Sequence, residues 1–222
     1  MILRRGLALL LLTAMLASAG GAGAADWPDT GASRKELQTL IDMLDDRLLR
    51  QPSATLTLEE WCRTHDLAPV AHVVAHRVRG VEKTPTPIQR QALDVAAREQ
   101  VRYRRVDLTC GDRVLSVADN WYVPGRLTPD MNAALDHSDV AFGHAVAALH
   151  FTRRTLESTR LWSPLRVRQA GAPAPRSGPG VIRPPAAILR HRAVLYRQDG
   201  VPFSEVVETY TGAMLDFPPP SR

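Results

Sequence analysis

A guanidinium on the apolar face of a β-hairpin is the first feature of this sequence that could do chemistry. Within residues 101–124, VRYRRVDLTCGDRVLSVADNWYVP, the dipeptide Gly111-Asp112 suits a tight turn between two strands. Val106, Leu108 and Cys110 alternate with Arg105, Asp107 and Thr109, so one face is apolar and the other polar. Extending the apolar face back by two residues reaches Arg104. A buried guanidinium is costly unless it is paired. Arg104 is therefore half of a structural ion pair or the anchor for an anionic ligand. Glu208 is the second group of interest, because it shares a face with Val206 and Tyr210 on the last expected strand, while Glu205 falls on the opposite face. A bidentate arginine fixes a carboxylate with direction as well as charge. A carboxyl group in an apolar pocket has a raised pKa and is poised for proton transfer. Arg104 and Glu208 could equally pair with each other across neighbouring strands.

Other reactive types carry less. His72 and His76 would stack one turn apart on a helix, but the valines around them favour a strand, and the glutamate of a His-Glu-x-x-His zinc motif is missing. No metal ligand set and no cofactor are assigned. Cys62 and Cys110 form one disulfide or stay as two buried thiols. There is no Gly-rich phosphate loop and no Gly-x-Ser-x-Gly. Arg154 and Arg192 read as surface or rim charges, and one of Trp121 and Tyr122 as core.

The elements that must position these groups mix helices with antiparallel strands. Ser33-Arg34-Lys35-Glu36 reads as a capping box opening a helix with Leu37, Leu40, Ile41, Leu44 and Leu48 on one face. Thr57-Leu58-Glu59-Glu60 reads as a second box, opening a shorter helix that carries Trp61. Residues 70–78 read as a strand, 88–100 as a modest helix, and Thr128-Pro129-Asp130 as a strong helix start. Ser138-Asp139 caps another short helix, residues 150–157 form a strand, and Asp199-Gly200 turns a final hairpin. Residues 166–187 collect proline, glycine, alanine and arginine without periodicity and read as a flexible insert.

The chain has 222 residues, 45% hydrophobic and 23% charged, which suits one domain of ordinary size. Residues 1–25 have the layout of a secretory signal peptide: Arg4 and Arg5, a short apolar run, then small residues with a cleavage site at Ala22-Gly23-Ala24. That predicts a periplasmic or secreted protein, with an N-terminal helix over 26–52 and the main domain over 53–222. The formal charge of +5 falls to +3 without Arg4 and Arg5, and the basic residues are dispersed. A clustered basic stripe interleaved with aromatics is lacking, so no nucleic-acid partner is expected. Nor is a membrane partner expected after removal of the leader, and the chain reads as a monomer.

The order of elements resembles chorismate–pyruvate lyase, whose fold also serves as the UTRA effector-binding domain of bacterial transcription regulators. The resemblance spans roughly residues 53–212. It is carried by Arg104 through Pro124, Ala141-Phe142-Gly143, Arg154, Leu161-Trp162 and the hairpin ending Val207-Glu208-Thr209-Tyr210. It implies an α+β fold, a single antiparallel sheet with flanking helices and a ligand buried between sheet and helical flaps. It further implies Arg104 as the carboxylate anchor, although counting back from Val123-Pro124 without a gap points to Arg105. By the same resemblance Phe142 and Gly143 offer backbone N–H groups, Ala54 lines the pocket within Ser53-Ala54-Thr55, and Glu208 is catalytic alongside Arg104. The implied reaction eliminates pyruvate from chorismate to give 4-hydroxybenzoate, without cofactor. The alternative is an exported, non-catalytic module that binds small aromatic or cyclic carboxylates. Three features depart from the lyases: Asn120 stands where they usually carry an arginine, the insert is long, and the leader implies export.

Overall fold

The computed structural model describes residues 26–165 and 180–219. The expected signal peptide, residues 1–25, and most of the expected insert lie outside the described residues.

Alternating apolar and polar residues build the strands, and capped apolar stripes build the helices that cover them. In chain order these are β1 (Trp27–Pro28), α1 (Gly31–Arg50), α2 (Ala54–Thr64), β2 (Val73–Arg77), α3 (Pro87–Ala92), β3 (Arg102–Cys110) and β4 (Arg113–Tyr122). There follow α4 (Pro129–His137), α5 (Phe142–Ala145), β5 (Thr152–Arg160), β6 (Val181–Ile182), β7 (Leu189–Tyr196) and β8 (Pro202–Tyr210). Six strands make one antiparallel sheet in the order β2-β3-β4-β8-β7-β5. The α+β class with a single main sheet and flanking helices is thus as the sequence implies. Gly111 and Gly200 hold positive φ (57° and 79°) in the two expected hairpin turns, where a side chain would be strained.

Both early helices start a turn before the expected boxes, by three residues at α1 and by four at α2. Thr30, not Ser33, caps α1 and accepts the Ser33 N–H at 3.1 Å. Ser53, not Thr57, caps α2 and accepts the Leu56 N–H at 3.3 Å. The stripe Leu37, Leu40, Ile41, Leu44, Leu48 packs with Leu58, Trp61, Val106, Leu108, Leu115 and Tyr210 in the main core. The N-terminal helix is therefore part of the domain's own core. Trp61 donates its indole N–H to Met214 O at 2.7 Å, so its polar edge is satisfied inside that core. On the sheet's far side Tyr103, Trp121, Leu93 and Val123 form a smaller cluster; Trp121 and Tyr122 are both buried.

Three local expectations are corrected. The helix expected over 88–100 is only one and a half turns long, because Leu93 closes it and Asp94 turns left-handed. The strand expected over 70–78 runs only from Val73 to Arg77, and it turns Val73 and Ala75 towards the core. Of the insert, residues 180–187 are held: Val181 and Ile182 pair with Pro28 and Trp27, and Ile182 is buried. Cys62 and Cys110 are joined by a disulfide between α2 and the end of β3. Among the described residues no helix is long and apolar enough to cross a membrane.

Candidate functional site

Strand register decides which side chains meet. Arg104 on β3 is opposite Asn120 on β4, and Asn120 is opposite Val206 on β8. The next row is Val106, Ala118 and Glu208. Opposed residues in an antiparallel sheet project to the same side, so Arg104, Asn120 and Glu208 share a face with an apolar strip between them. Bordering this face are the start of α2 (Ser53, Ala54, Thr55), the start of α5 (Phe142, Gly143), Phe151 just ahead of β5 and Arg153 on β5. Together they bound a half-enclosed, mostly apolar hollow of about 500 Å³ of atom-free space, its mouth included. Gly143 makes the close approach of α5 to α2 feasible: a Cβ there would sit 2.8 Å from Ser53 Oγ and Thr55 Oγ1.

The charges in the hollow are unevenly matched. Arg153 Nη2 meets Glu208 Oε2 at 2.6 Å, and the Tyr210 hydroxyl donates to the same oxygen at 3.1 Å. Burial works against charge on Arg153, but Glu208 and Tyr210 more than offset it, leaving its pKa above the ordinary value. Burial and the adjacent carboxylate push the Tyr210 phenol well above its usual range, so it remains a donor. Arg104, 3% exposed, donates to Val140 O at 3.1 Å and forms no ion pair among the described residues. Burial, with Arg77 nearby, lowers its pKa from the ordinary value. A guanidinium still remains protonated. Asn120 accepts from Ser204 Oγ at 2.6 Å through Oδ1. Arg104 Nε, Asn120 Nδ2 and Arg153 Nε are buried without a hydrogen-bond partner among the described residues. All three belong to residues that line the hollow. Buried donors in folded proteins are nearly always satisfied, so the site as built calls for an acceptor.

No protein-family model matches the chain. It is 48% identical over 196 residues to the Sinorhizobium fredii protein described as "Uncharacterized protein y4mC", across 87% of this chain and 83% of that one. The chain belongs to the y4mC family. Among solved structures it is similar to the regulator PhnF of Mycobacterium smegmatis (13% identity, TM-score 0.48, 89% of this chain and 93% of that one). It is also similar to the effector domain of PhnF (15% identity, TM-score 0.45, 72% and 89%). A third likeness is to a possible transcriptional regulator, YydK, of Bacillus subtilis (14% identity, TM-score 0.40, 68% and 62%). None is similar enough to bring a function with it.

In this y4mC-family chain the structure gathers Arg104, Glu208, Phe142, Gly143 and Ala54 around one hollow. Arg105 is the exception. It projects from the opposite face, 3.6 Å from Asp119, which also binds Lys83 at 2.5 Å and the Tyr103 hydroxyl. The pleat separates the two adjacent arginines, and the alternation argument outweighs the count from Val123-Pro124. Arg104 and Glu208 do not pair with each other, since Arg153 occupies Glu208. Glu205 is fully buried on the other face, with Arg192 Nε at 2.8 Å.

Two site residues escaped the sequence reading. Arg153 has a side chain 3% exposed, whereas its neighbour Arg154, which the resemblance singled out, is exposed. β5 is polar on both faces (TRRTLESTR), so no apolar alternation marked Arg153 as inward. Asn120 stood out only as a departure from the lyases, yet it supplies one of the unpartnered donors. His72 and His76 also part company: His76 Nε2 bonds Thr109 Oγ1 at 3.1 Å, while His72 precedes β2 and turns to Glu59.

Proposed function

We propose that the hollow binds a small cyclic or aromatic monocarboxylate, with its carboxylate on Arg104 and Asn120 and its ring against the apolar strip. The observation that carries this reading is the set of three buried N–H donors without a partner among the described residues, on side chains that line one mostly apolar hollow. The charged groups of the lining are Arg104, Arg153 and Glu208, a net +1. One negative charge neutralises it. A dianion would leave a second carboxylate to be met by the amide of Asn120.

A second reading keeps the lyase reaction implied by the sequence resemblance, favoured by the placing of a carboxyl group, Glu208, in the same hollow as Arg104. In that reading the protein orients chorismate while aromatisation supplies the driving force, and Glu208 handles the proton. Against it, Arg153 and Tyr210 both donate to Glu208 Oε2, so this carboxyl group is already engaged by the protein. The binding module is thus the better-supported function. The proposed leader over residues 1–25 would deliver it to an oxidising compartment, where the Cys62–Cys110 bridge persists.

Incubation with chorismate, monitored for 4-hydroxybenzoate, and thermal melts with 4-hydroxybenzoate separate the readings. Stabilisation without product is expected; ligand at 100 times its Kd adds about 2.7 kcal/mol. Product formation establishes the lyase instead. Neither product nor stabilisation by any monocyclic carboxylate would remove both.

A further inference from the structure

Outside the hollow, three metal-ligating side chains far apart in sequence converge on one point. Glu59 lies on α2, His72 just ahead of β2, and His144 on α5. Glu59 Oε1 lies 3.0 Å from His72 Nδ1 and 2.9 Å from His144 Nε2. The same oxygen accepts the Val73 N–H at 2.9 Å. One ligand atom from each of the three side chains lies within 4.8 Å of the others. The two imidazoles stack with centroids 5.8 Å apart and planes 28° from parallel.

We infer that Glu59, His72 and His144 form a binding site for a borderline divalent cation of the Zn²⁺ type. Two imidazoles and a carboxylate match the preference of zinc, cobalt, nickel or copper, whereas Mg²⁺ and Ca²⁺ favour all-oxygen sets. Around a tetrahedral ion with bonds of about 2.0–2.1 Å, neighbouring donor atoms stand about 3.3–3.4 Å apart. The two spacings to Glu59 Oε1, 3.0 and 2.9 Å, need to open by only a few tenths of an ångström, and the two imidazole donors already lie within 4.8 Å of each other. His72 can supply that movement, since its side chain is 63% exposed, whereas Glu59 is 17% exposed and held by the Val73 N–H. The ion replaces the proton each imidazole shares with Glu59, and its fourth position opens to water. His144 follows Gly143, and Glu59 shares α2 with Ala54, so the ion fastens together the two elements that roof the hollow. The site is independent of which ligand fills the hollow.

The test is titration of the chelator-treated full chain with Co²⁺, read by visible absorption, and with Zn²⁺, read by calorimetry and melting temperature. One equivalent per chain is expected, with a rise in Tm. His72→Ala, His144→Ala and Glu59→Gln should each weaken binding at least tenfold, and Glu59→Gln keeps an oxygen for the Val73 N–H. His76→Ala, which removes the neighbouring strand histidine, should bind like wild type. Absence of one-equivalent binding at micromolar metal overturns the site. So does binding that survives in the His72→Ala/His144→Ala double variant, or that His76→Ala lowers as much as His144→Ala does.

Discussion

Arg153 reaches from β5 across β7 to Glu208 on β8, and the two charges meet at 2.6 Å with side chains 3% and 8% exposed. This pair sets the charge of the hollow. By occupying Glu208 it leaves Arg104, on the far side, as the lining cation without a carboxylate of its own among the described residues.

Removing one member of a buried pair strands the other. Arg153→Met should cost about 3–5 kcal/mol in urea unfolding, because Glu208 is left buried without its cation and, among the described residues, with Tyr210 as its remaining hydrogen-bond donor. The double variant Arg153→Met/Glu208→Gln should recover most of that loss, since neither charge then remains. Additive losses in the two single variants and the double would show that the side chains act separately.

The bridge between Cys62 and Cys110 closes a loop of 48 residues. On the chain-entropy account such a loop is worth about 4 kcal/mol. Cys62→Ala/Cys110→Ala, or dithiothreitol added to the wild type, should lower stability by about 2–4 kcal/mol. Coincident melts with and without reductant would mean that the bond does not form.

Acid should weaken the fold before the carboxylates titrate. His191 is fully buried, with Nε2 2.7 Å from Asp45 Oδ1 on α1 and with Arg153, Glu208 and Tyr210 about it. Burial, helped by Arg153 and opposed by Asp45 and Glu208, lowers its pKa below 6.5; burial and Arg47 do the same at His65. The unfolded chain therefore binds protons there that the folded chain refuses. This part of the stability is complete above pH about 6.5 and drains away as the pH falls below it. Urea midpoints between pH 7 and 5 should fall. His191→Gln should flatten the slope by up to about 1.4 kcal/mol per pH unit. An unchanged slope would contradict a neutral His191.

Much of this site was legible because strands write their faces plainly. Alternation alone put Arg104 on the buried side and Arg105 on the other, and the Asp199-Gly200 turn set the register that brings Glu208 inward. Helix starts were misplaced by one turn because Ser33 and Thr57 each precede a glutamate by three residues, and so mimic caps that Thr30 and Ser53 provide. Arg153 was hidden by a strand polar on both faces, held by its pairing and not by an apolar pattern. Ile182 sits in a run of proline and glycine too poor to suggest order, and Trp27, far back in the chain, gives it a partner. His144 was invisible as a companion of Glu59 because 85 residues separate them.

Calorimetric titration of the protein with 4-hydroxybenzoate and related monocyclic carboxylates, in wild type and Arg104→Met, tests the central claim most directly. Arg104→Met keeps an unbranched apolar stem and removes the charge and donors. The account predicts one site per chain in the wild type and at least tenfold weaker binding in Arg104→Met, with the fold intact. Equal affinity in the two proteins, or no binding in either, would contradict it.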